Sequence, residues 1–462
     1  MQPTKASVLC AGLGTLAGDP AVAAVVTDNR AAGPGSLFVC IKGERADGHD
    51  YAAAALAAGA VGILAQHPVE GVPAGQTILV ADPLDAMIRM GANYRALFSP
   101  VVAGVTGSVG KTTTKEFCYA VFSAFGKTLK TEGNQNNEIG CPNTLLRLDD
   151  SIRYAVVEMG MQGRGEIEKL ALAARPAGAV ITGVGVAHLQ QLGTRENILA
   201  AKMEICAGLP DGAPLAVNGD NDLLPGAPAP RGIRKVLFAL DNPSAAVRGA
   251  DLHAAPGPDG APGTAFTILD GEAGRYRAFI PAVGRHNVMD ALAAWTLATR
   301  LGIEPAGAAA ALAGFATTGH RQHVAVHGGI TVIEDCYNAN PDSMAAGLSA
   351  LAQYRVTGRR IAVLGDMFEL GPAEEASHRA VGRLCAECGV DLVLAAGRAS
   401  RVLVQEARAA GVPARHYDGL PALTTALAAE ARPGDAVLVK ASHGMGYSRL
   451  LSDFYAALDG NR

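Results

Sequence analysis

The stretch "VVAGVTGSVGKTTTKEF", residues 101–117, narrows most what this chain can fold into. An apolar run rich in Val leads through a glycine turn into residues that open a helix. A strand feeding a helix in this way is the repeating unit of a parallel sheet. The same turn makes an anion site, because backbone N–H groups and a helix N-terminus converge on one point. Gly107 and Gly110 let the backbone bend. Lys111 brings a point charge to the β- and γ-phosphates of a nucleotide, and Thr112 offers a hydroxyl to Mg²⁺. Five residues separate Gly104 from Gly110, so the strict G-x4-G-K-[ST] spacing fails by one. The run Thr106-Gly107-Ser108-Val109-Gly110-Lys111-Thr112-Thr113 nevertheless has the strand before it and the helix after it that a phosphate loop needs.

The chain has 462 residues, enough for about three domains at roughly 150 residues each. Apolar content of 49% and charged content of 18% argue against long disordered tracts. Its 56 Gly and abundant Ala suit close helix–sheet packing. A net charge of −4 with no basic block makes nucleic acid an unsuitable partner, so an anionic substrate must be held by a few local donors. The N-terminus lacks the pattern of a secretory leader. The most apolar stretch, Tyr51–Gln66, is short for a membrane span and reads as a buried helix followed by a strand. Of the eight Cys, Cys385 and Cys388 form a C-x-x-C without the second pair that a zinc site needs, so all eight read as structural thiols.

Regular βα alternation begins at Pro100, with apolar strands at Val101–Val105, Tyr154–Gly160 and Gly178–Gly185, and these argue a parallel sheet. The Pro/Gly-rich stretches "LLPGAPAPRG" and "APGPDGAPG" read as loops between strands, and Asn287–Gly302 as a helix. A second βα series follows Phe315. The boundaries fall near 99 and 316, giving units 1–99, 100–316 and 317–462.

Three further residues fall where an open parallel sheet binds ligands, at the carboxyl ends of its strands. Glu158 ends "AVVEMG" and can hold a hard cation near the phosphates. His188 follows "AVITGVG", and Lys202 sits in "ENILAAKMEI", where burial would free a neutral amine. Each has a plainer alternative: a solvent-facing carboxylate, a hydrogen-bonded structural histidine, a solvated lysine. "EDCYNANPDSM" ends a later strand with Asp335, Tyr337, Asn338 and Asn340 clustered, and Arg321 lies upstream; recognition and an Asx-rich turn both explain that cluster.

A set of segments in a fixed order adds to this: "TDNR", "LFVCIKGERADGHDY", "TGSVGKTTTKE", "GNQNNEIGCPNTLL", "VVEMGMQGRGEI", "AHLQQLGTRENILAAKMEI", "GRHNVMDALAA", "YNANPDSM", "LGDMFELG" and "VLVKASHGMG". Through them the chain resembles the Mur ligases, the ATP-dependent amide-forming enzymes of peptidoglycan synthesis, over nearly its whole length. The resemblance implies an α/β protein of three domains: a small N-terminal domain that binds a UDP-linked substrate, a central P-loop ATPase domain with a parallel sheet, and a Rossmann-like C-terminal ligase domain. It implies ATP on Gly107, Ser108, Val109, Gly110, Lys111, Thr112 and Thr113, with Asn287, Arg321, Asp335 and Asn338 approaching the nucleotide across the cleft. It implies two Mg²⁺ ions, with Thr112 at one and Glu158 and His188 at the other, and a CO₂-derived carbamate on Lys202 beside them. Lys111, Glu158, His188 and Lys202 would be the catalytic set. Asp28, Asn29, Arg30, Lys42 and Gly43 would line the UDP site, and Asn134, Asn136, Asn137 and Thr144 would meet the muramoyl peptide. Three positions depart from the family's usual residues: Asn29 for Ser, Gly183 for Asn, and His443 for Arg.

"YNANPDSM" points, within that resemblance, to the type that joins D-alanyl-D-alanine to UDP-N-acetylmuramoyl-tripeptide through an acyl phosphate. A Mur-type or folylpolyglutamate-type ligase with a single amino acid as acceptor is the alternative. A P-loop switch or motor would account for Lys111 and Thr112 but not for Lys202. The reading implies small-molecule partners, no nucleic acid, no membrane span, a cytoplasmic location and a monomer.

Overall fold

The structure, a computed structural model, describes residues 1–257, 262–317, 319–354 and 356–460. Three large sheets organise it, beside a two-stranded antiparallel pair of Thr4–Lys5 and Ala21–Val22. The first has four parallel strands in the order Ala24–Val26, Ser36–Val39, Gly62–Ala65 and Thr77–Leu79. The Ala-rich stretch before Gly62 forms the helix Ala52–Ala57, packed on that sheet through Ala52 and Ala55. The helix Pro83–Arg95 then leads to the central sheet, and its buried Tyr94 ties the units together. The Tyr94 hydroxyl donates to the Leu148 carbonyl at 3.0 Å and accepts from the Gln2 N–H at 2.8 Å.

The central sheet has nine strands. From one edge to the other they are Gly274–Ile280, Pro262–Asp270, Val247–Pro256, Arg234–Ala239, Pro214–Asn218, Gly178–Ile181, Val101–Thr106, Tyr154–Glu158 and Thr128–Lys130. Val101–Thr106 lies between Tyr154–Glu158 and Gly178–Ile181, and the strand order runs away from it in opposite directions on its two sides, so the phosphate loop leaves the sheet at its switch point. The strands from Thr128–Lys130 to Val247–Pro256 pair in parallel, as the sequence implies for those within 101–185. The last three strands form an antiparallel meander. Their connections are too short for a crossover helix, which a parallel neighbour requires. Residues 258–261 of "APGPDGAPG" lie outside the described residues. The meander's alternating burial sets one face on the helix Arg285–Arg300, which carries the fully buried Trp295.

The C-terminal sheet has six strands, ordered His323–His327, Ile330–Glu334, Ala436–Lys440, Arg360–Gly365, Leu392–Ala396 and Ala414–Tyr417. Five are parallel. His323–His327 is antiparallel, turned by Gly328 and Gly329 at φ of +58° and +79°, a backbone that glycine adopts readily. All eight cysteines are free; seven are buried, and Cys388, at the end of the helix Glu374–Glu387, is half-exposed. Among the described residues no helix is long and apolar enough to cross a membrane.

Candidate active site

Register brings the first candidates together. Val105 pairs with Glu158 and Thr106 with Ile181, so the loop that begins at Gly107 emerges beside Glu158 on one side and the segment from Thr182 on the other. Gly110 sits at φ +86° before the helix Lys111–Ser123. A side chain there would press on Asp290 Oδ1, 2.5 Å from the added Cβ, so both conformation and space ask for glycine. The Thr182 hydroxyl donates to the Val109 carbonyl at 2.5 Å and the Ser108 N–H to the Gly183 carbonyl at 2.9 Å, which fixes the loop from below.

Glu158 does not face solvent: it is fully buried. Its carboxylate accepts from the Thr112 hydroxyl at 3.0 and 3.2 Å and from Asn136 Nδ2 at 2.7 Å, with Lys115 Nζ 3.6 Å away. Lys111 Nζ folds back on the loop's own carbonyls, Gly107 at 2.8 Å and Ser108 at 3.4 Å. Burial lowers its pKa, Arg321 lowers it further, and Glu158 opposes.

Lys202 lies in the helix Arg195–Met203 and is 1% exposed. Burial, reinforced by Lys111, drives its pKa well below the usual lysine value, with Glu204 opposing. No ion-pair partner holds its amine among the described residues. His188, at φ +65°, has a pKa pushed down to about 4 by burial, with Lys111 and Lys202 adding to it. Its buried Nδ1 makes no hydrogen bond, although Glu369 Oε2 is 3.4 Å away. With the ring neutral, that approach is not an ion pair.

The C-terminal unit supplies the opposite wall. The Arg321 guanidinium stacks over Tyr337 at 3.6 Å from the ring centre. The buried Lys440 Nζ donates to Asp335 Oδ2 at 2.7 Å and to the Asn338 carbonyl at 3.0 Å, fixing the polar turn after Ile330–Glu334. Asn340 caps the helix Pro341–Gln353 with Ser343 in a reciprocal box. Together the walls enclose a cleft of about 850 Å³ lined by residues of the phosphate loop, Glu158, His188, Arg321, Asp335, Asn338, Asn134, Asn136 and Asn137.

The remaining candidates sit elsewhere. Lys202 is buried and does not line the cleft. Asn287 is buried and bridges Val283 and Gln322 through its Nδ2, at 2.8 and 2.9 Å, so it joins the central helix to the C-terminal unit. Thr144 is buried in the helix Gly140–Leu145, with its hydroxyl on the Gly140 carbonyl at 3.0 Å. Asp28, Asn29 and Arg30 follow the strand Ala24–Val26, and Lys42 and Gly43 follow its neighbour Ser36–Val39. They share the carboxyl edge of the four-stranded sheet, away from the main cleft, with Asp28 and Arg30 paired at 2.6 Å. His443 is exposed, with its ring 5.5 Å from that of Tyr337.

Sequence reasoning missed Asp290, His286, Gln322 and Asp342, all on the cleft. Asp290 accepts from the Thr114 hydroxyl at 2.9 Å, and burial raises its pKa to about 8. His286 Nε2 lies 2.7 Å from Gln322 Oε1. Asp290 had a signal, an acid on the apolar side of a helix; the others meet only in three dimensions.

Whether this site suits divalent cations can be tested on its donors. Among the described residues no three His, Cys, Asp or Glu side chains gather to hold a metal. Glu158 and Thr112 offer hard oxygen ligands, and the nucleotide's phosphates would complete that set. His188 offers a neutral, unpaired nitrogen. An ammonium on Lys202 would repel a cation, whereas a carbamate there would attract one, so the residues fit two Mg²⁺ ions provided Lys202 is carbamylated.

Comparison with known proteins agrees on one family. The family model for the Mur ligase catalytic domain matches residues 21–91, that for the middle domain matches 105–298, and that for the glutamate ligase domain matches 320–443. The chain is 36% identical over 433 residues to the UDP-N-acetylmuramoyl-tripeptide–D-alanyl-D-alanine ligase of Bacillus subtilis, covering 93% of this chain and 92% of that one. It is 36% identical over 407 residues to the enzyme of that name from Escherichia coli, covering 87% of each. The crystal structure of MurF from Acinetobacter baumannii superposes with a TM-score of 0.88 at 28% identity, covering 99% of both chains. MurF from Thermotoga maritima in complex with ADP superposes with a TM-score of 0.82 at 27% identity, covering 95% of this chain and 98% of that one.

Proposed function

The chain belongs to the Mur ligase family, and from that premise we propose that it joins D-alanyl-D-alanine to UDP-N-acetylmuramoyl-tripeptide with ATP, a step of peptidoglycan synthesis. The observation that carries the chemistry is the unpaired, buried Lys202 amine, close enough to Lys111 of the phosphate loop to feel its charge. A nucleotide switch has no use for that amine.

A carboxylate and an ammonium do not condense in water, because oxide is a poor leaving group. ATP removes the obstacle. The tripeptide's terminal carboxylate oxygen attacks the γ-phosphorus, the bond to the β-phosphate oxygen breaks, and an acyl phosphate and ADP result. The dipeptide's amine, after losing a proton, attacks the acyl carbon and expels phosphate. Lys111 serves the first step by leaving the Gly107 and Ser108 carbonyls for the phosphates, and Ser108 adds a buried hydroxyl that has no partner of its own. Arg321, held flat on Tyr337, faces the same anion from the other wall. Thr112 and Glu158 would hold one Mg²⁺, and Glu158, His188 and carbamylated Lys202 the other. Bound there, Mg²⁺ supplies the positive charge that lets two anions approach.

The lowered pKa of Lys202 supports the carbamate: its neutral amine adds to CO₂, releasing one proton and leaving an anion where a cation stood. Units 1–99, 100–316 and 317–462 take the UDP-substrate, ATP and ligase roles. Asp28, Asn29, Arg30, Lys42 and Gly43 are placed for the uridine end, at the carboxyl edge of their own sheet. Asn134, Asn136 and Asn137 are placed for the peptide end, and Asp335 and Asn338 for the nucleotide. Asn287 acts by holding Gln322, and Thr144 by fixing the helix that follows the amide-rich turn. We place the enzyme in the cytoplasm, as a monomer. Phosphate release from ATP with UDP-N-acetylmuramoyl-tripeptide present tests the reading: strong stimulation by D-alanyl-D-alanine is expected, and stimulation by single amino acids instead would overturn it.

A further inference from the structure

Four consecutive residues between the central and C-terminal units, His320-Arg321-Gln322-His323, divide their side chains between two places. The inner pair goes to the cleft. Arg321 lies over Tyr337, and Gln322 Oε1 lies 2.7 Å from His286 Nε2 and accepts from Asn287 Nδ2 at 2.9 Å. The outer pair goes to one buried carboxylate. His320 Nδ1 lies 2.7 Å, and His323 Nδ1 3.2 Å, from Oε2 of Glu334, which is 5% exposed. Its other oxygen accepts from the Tyr455 hydroxyl at 2.5 Å, and the His327 ring stacks on Tyr455 at 4.0 Å. Strand pairing sets Glu334 opposite His323, and the Tyr337 N–H donates to the His320 carbonyl at 3.3 Å. Gln322 sits at φ +54°, a conformation that costs a residue with a Cβ and persists where its surroundings hold it. Burial raises the Glu334 pKa, but bonds from Tyr455 and His320 and the nearby imidazoles carry it below the usual glutamate value, so the carboxylate stays charged. A charged acceptor fixes its donors more firmly than a neutral one. His320, His323, Glu334 and Tyr455 do not line the cleft, and the chemistry above uses none of them.

We propose that Glu334, His320 and His323 are positioning residues: they grip the chain on both sides of Arg321 and so hold its guanidinium toward the phosphates of ATP. This rests on the reading that Arg321 faces the nucleotide. Without the grip, residues 320–323 would be ordered only when ATP binds, and that ordering would weaken affinity.

Titration calorimetry of the full chain with β,γ-methylene ATP and Mg²⁺ tests it. His320→Ala with His323→Ala, at two half-exposed side chains, should weaken binding about fivefold, and Glu334→Ala at least as much. In an Arg321→Ala background the same changes should have no further effect, because groups that act through one another are not additive. His320→Gln with His323→Gln keeps N–H donors and should hold affinity within about twofold of wild type. The histidine variants decide the matter alone if Glu334→Ala does not fold. Unchanged affinity in the alanine variants, even with a lowered melting temperature, overturns the inference, as does a glutamine variant no better than the alanine one. So does a loss of equal size with and without Arg321. If Arg321→Ala by itself leaves affinity unchanged, the placing of Arg321 on the nucleotide fails, and this inference with it.

Discussion

The central and C-terminal sheets each have a place where a glycine turn leads from a strand into a helix and an acid from the adjacent strand's end reaches across. In the central sheet the turn is Gly107–Gly110 and the acid is Glu158, which bonds the side chains of Thr112 and Asn136. In the C-terminal sheet the turn starts at Gly397 and the acid is Asp366. Asp366 takes the backbone N–H groups themselves, Ser400 at 2.7 Å and Ala399 at 3.1 Å, together with the Ser400 hydroxyl at 2.5 Å. A helix N-terminus is an anion site in both. One opens on the cleft; the other is filled by the chain's own carboxylate. Two strand–turn–helix units of like form therefore differ through which atoms a single acid engages.

The comparison breaks first at Lys111. Lys111→Ala should lower the rate of ATP-dependent ligation by about 10³-fold or more, read as phosphate release, since it removes a charge from a preorganised anion site. Lys202→Ala should cost on the order of 10²-fold, with part of the rate restored by added short carboxylates. No restoration, or no loss, would remove the carbamate from the account. Asp366→Ala should leave KM for ATP unchanged while lowering stability by about 3 kcal/mol in a denaturant titration, because it leaves three buried donors without their acceptor. A loss of ATP affinity there would mean that the two turns are not as separate as their geometry indicates.

Asp290→Asn is the smallest and sharpest test. With the folded-state pKa raised to about 8, the native state holds a proton that the unfolded chain gives up near pH 4. Wild-type stability therefore falls as pH rises from about 4 to about 8, and the asparagine variant escapes that loss. Its edge on the cleft admits water, so the gain at pH 7 is held to about 1–2 kcal/mol, vanishing near pH 4. Thermal melts at several pH values would show the two curves diverging; parallel curves would mean that Asp290 is ionised in the native state.

Much of this was legible in the chain because it is local. The strand, glycine turn and helix around Lys111 follow from residue order, and Glu158, His188 and Lys202 were singled out because each ends, follows or sits in a strand or helix that periodicity reveals. The family resemblance then joined them. What could not be read was register and packing. Nothing local says that Glu158 pairs beside Val105, that Asp290 fills the space under Gly110, or that Gln322 closes on Asn287. The antiparallel meander and the edge hairpin at Gly328-Gly329 went unread, although short glycine-bearing turns mark both. Thr144 shows the converse: a motif position whose hydroxyl the helix itself consumes.

The cysteines give the molecule a built-in chemical clock. Burial raises the thiol of Cys40 to about 12 and of Cys10 to about 11, so neither is a thiolate near neutral pH. An alkylating reagent should mark the half-exposed Cys388 of the native chain first. The others become reactive as each sheet opens: Cys10 and Cys40 with the first, Cys118, Cys141 and Cys206 with the second, Cys336 and Cys385 with the third. Mass spectrometry of timed labelling would then give the order in which the three units come apart, and ATP should delay the middle group.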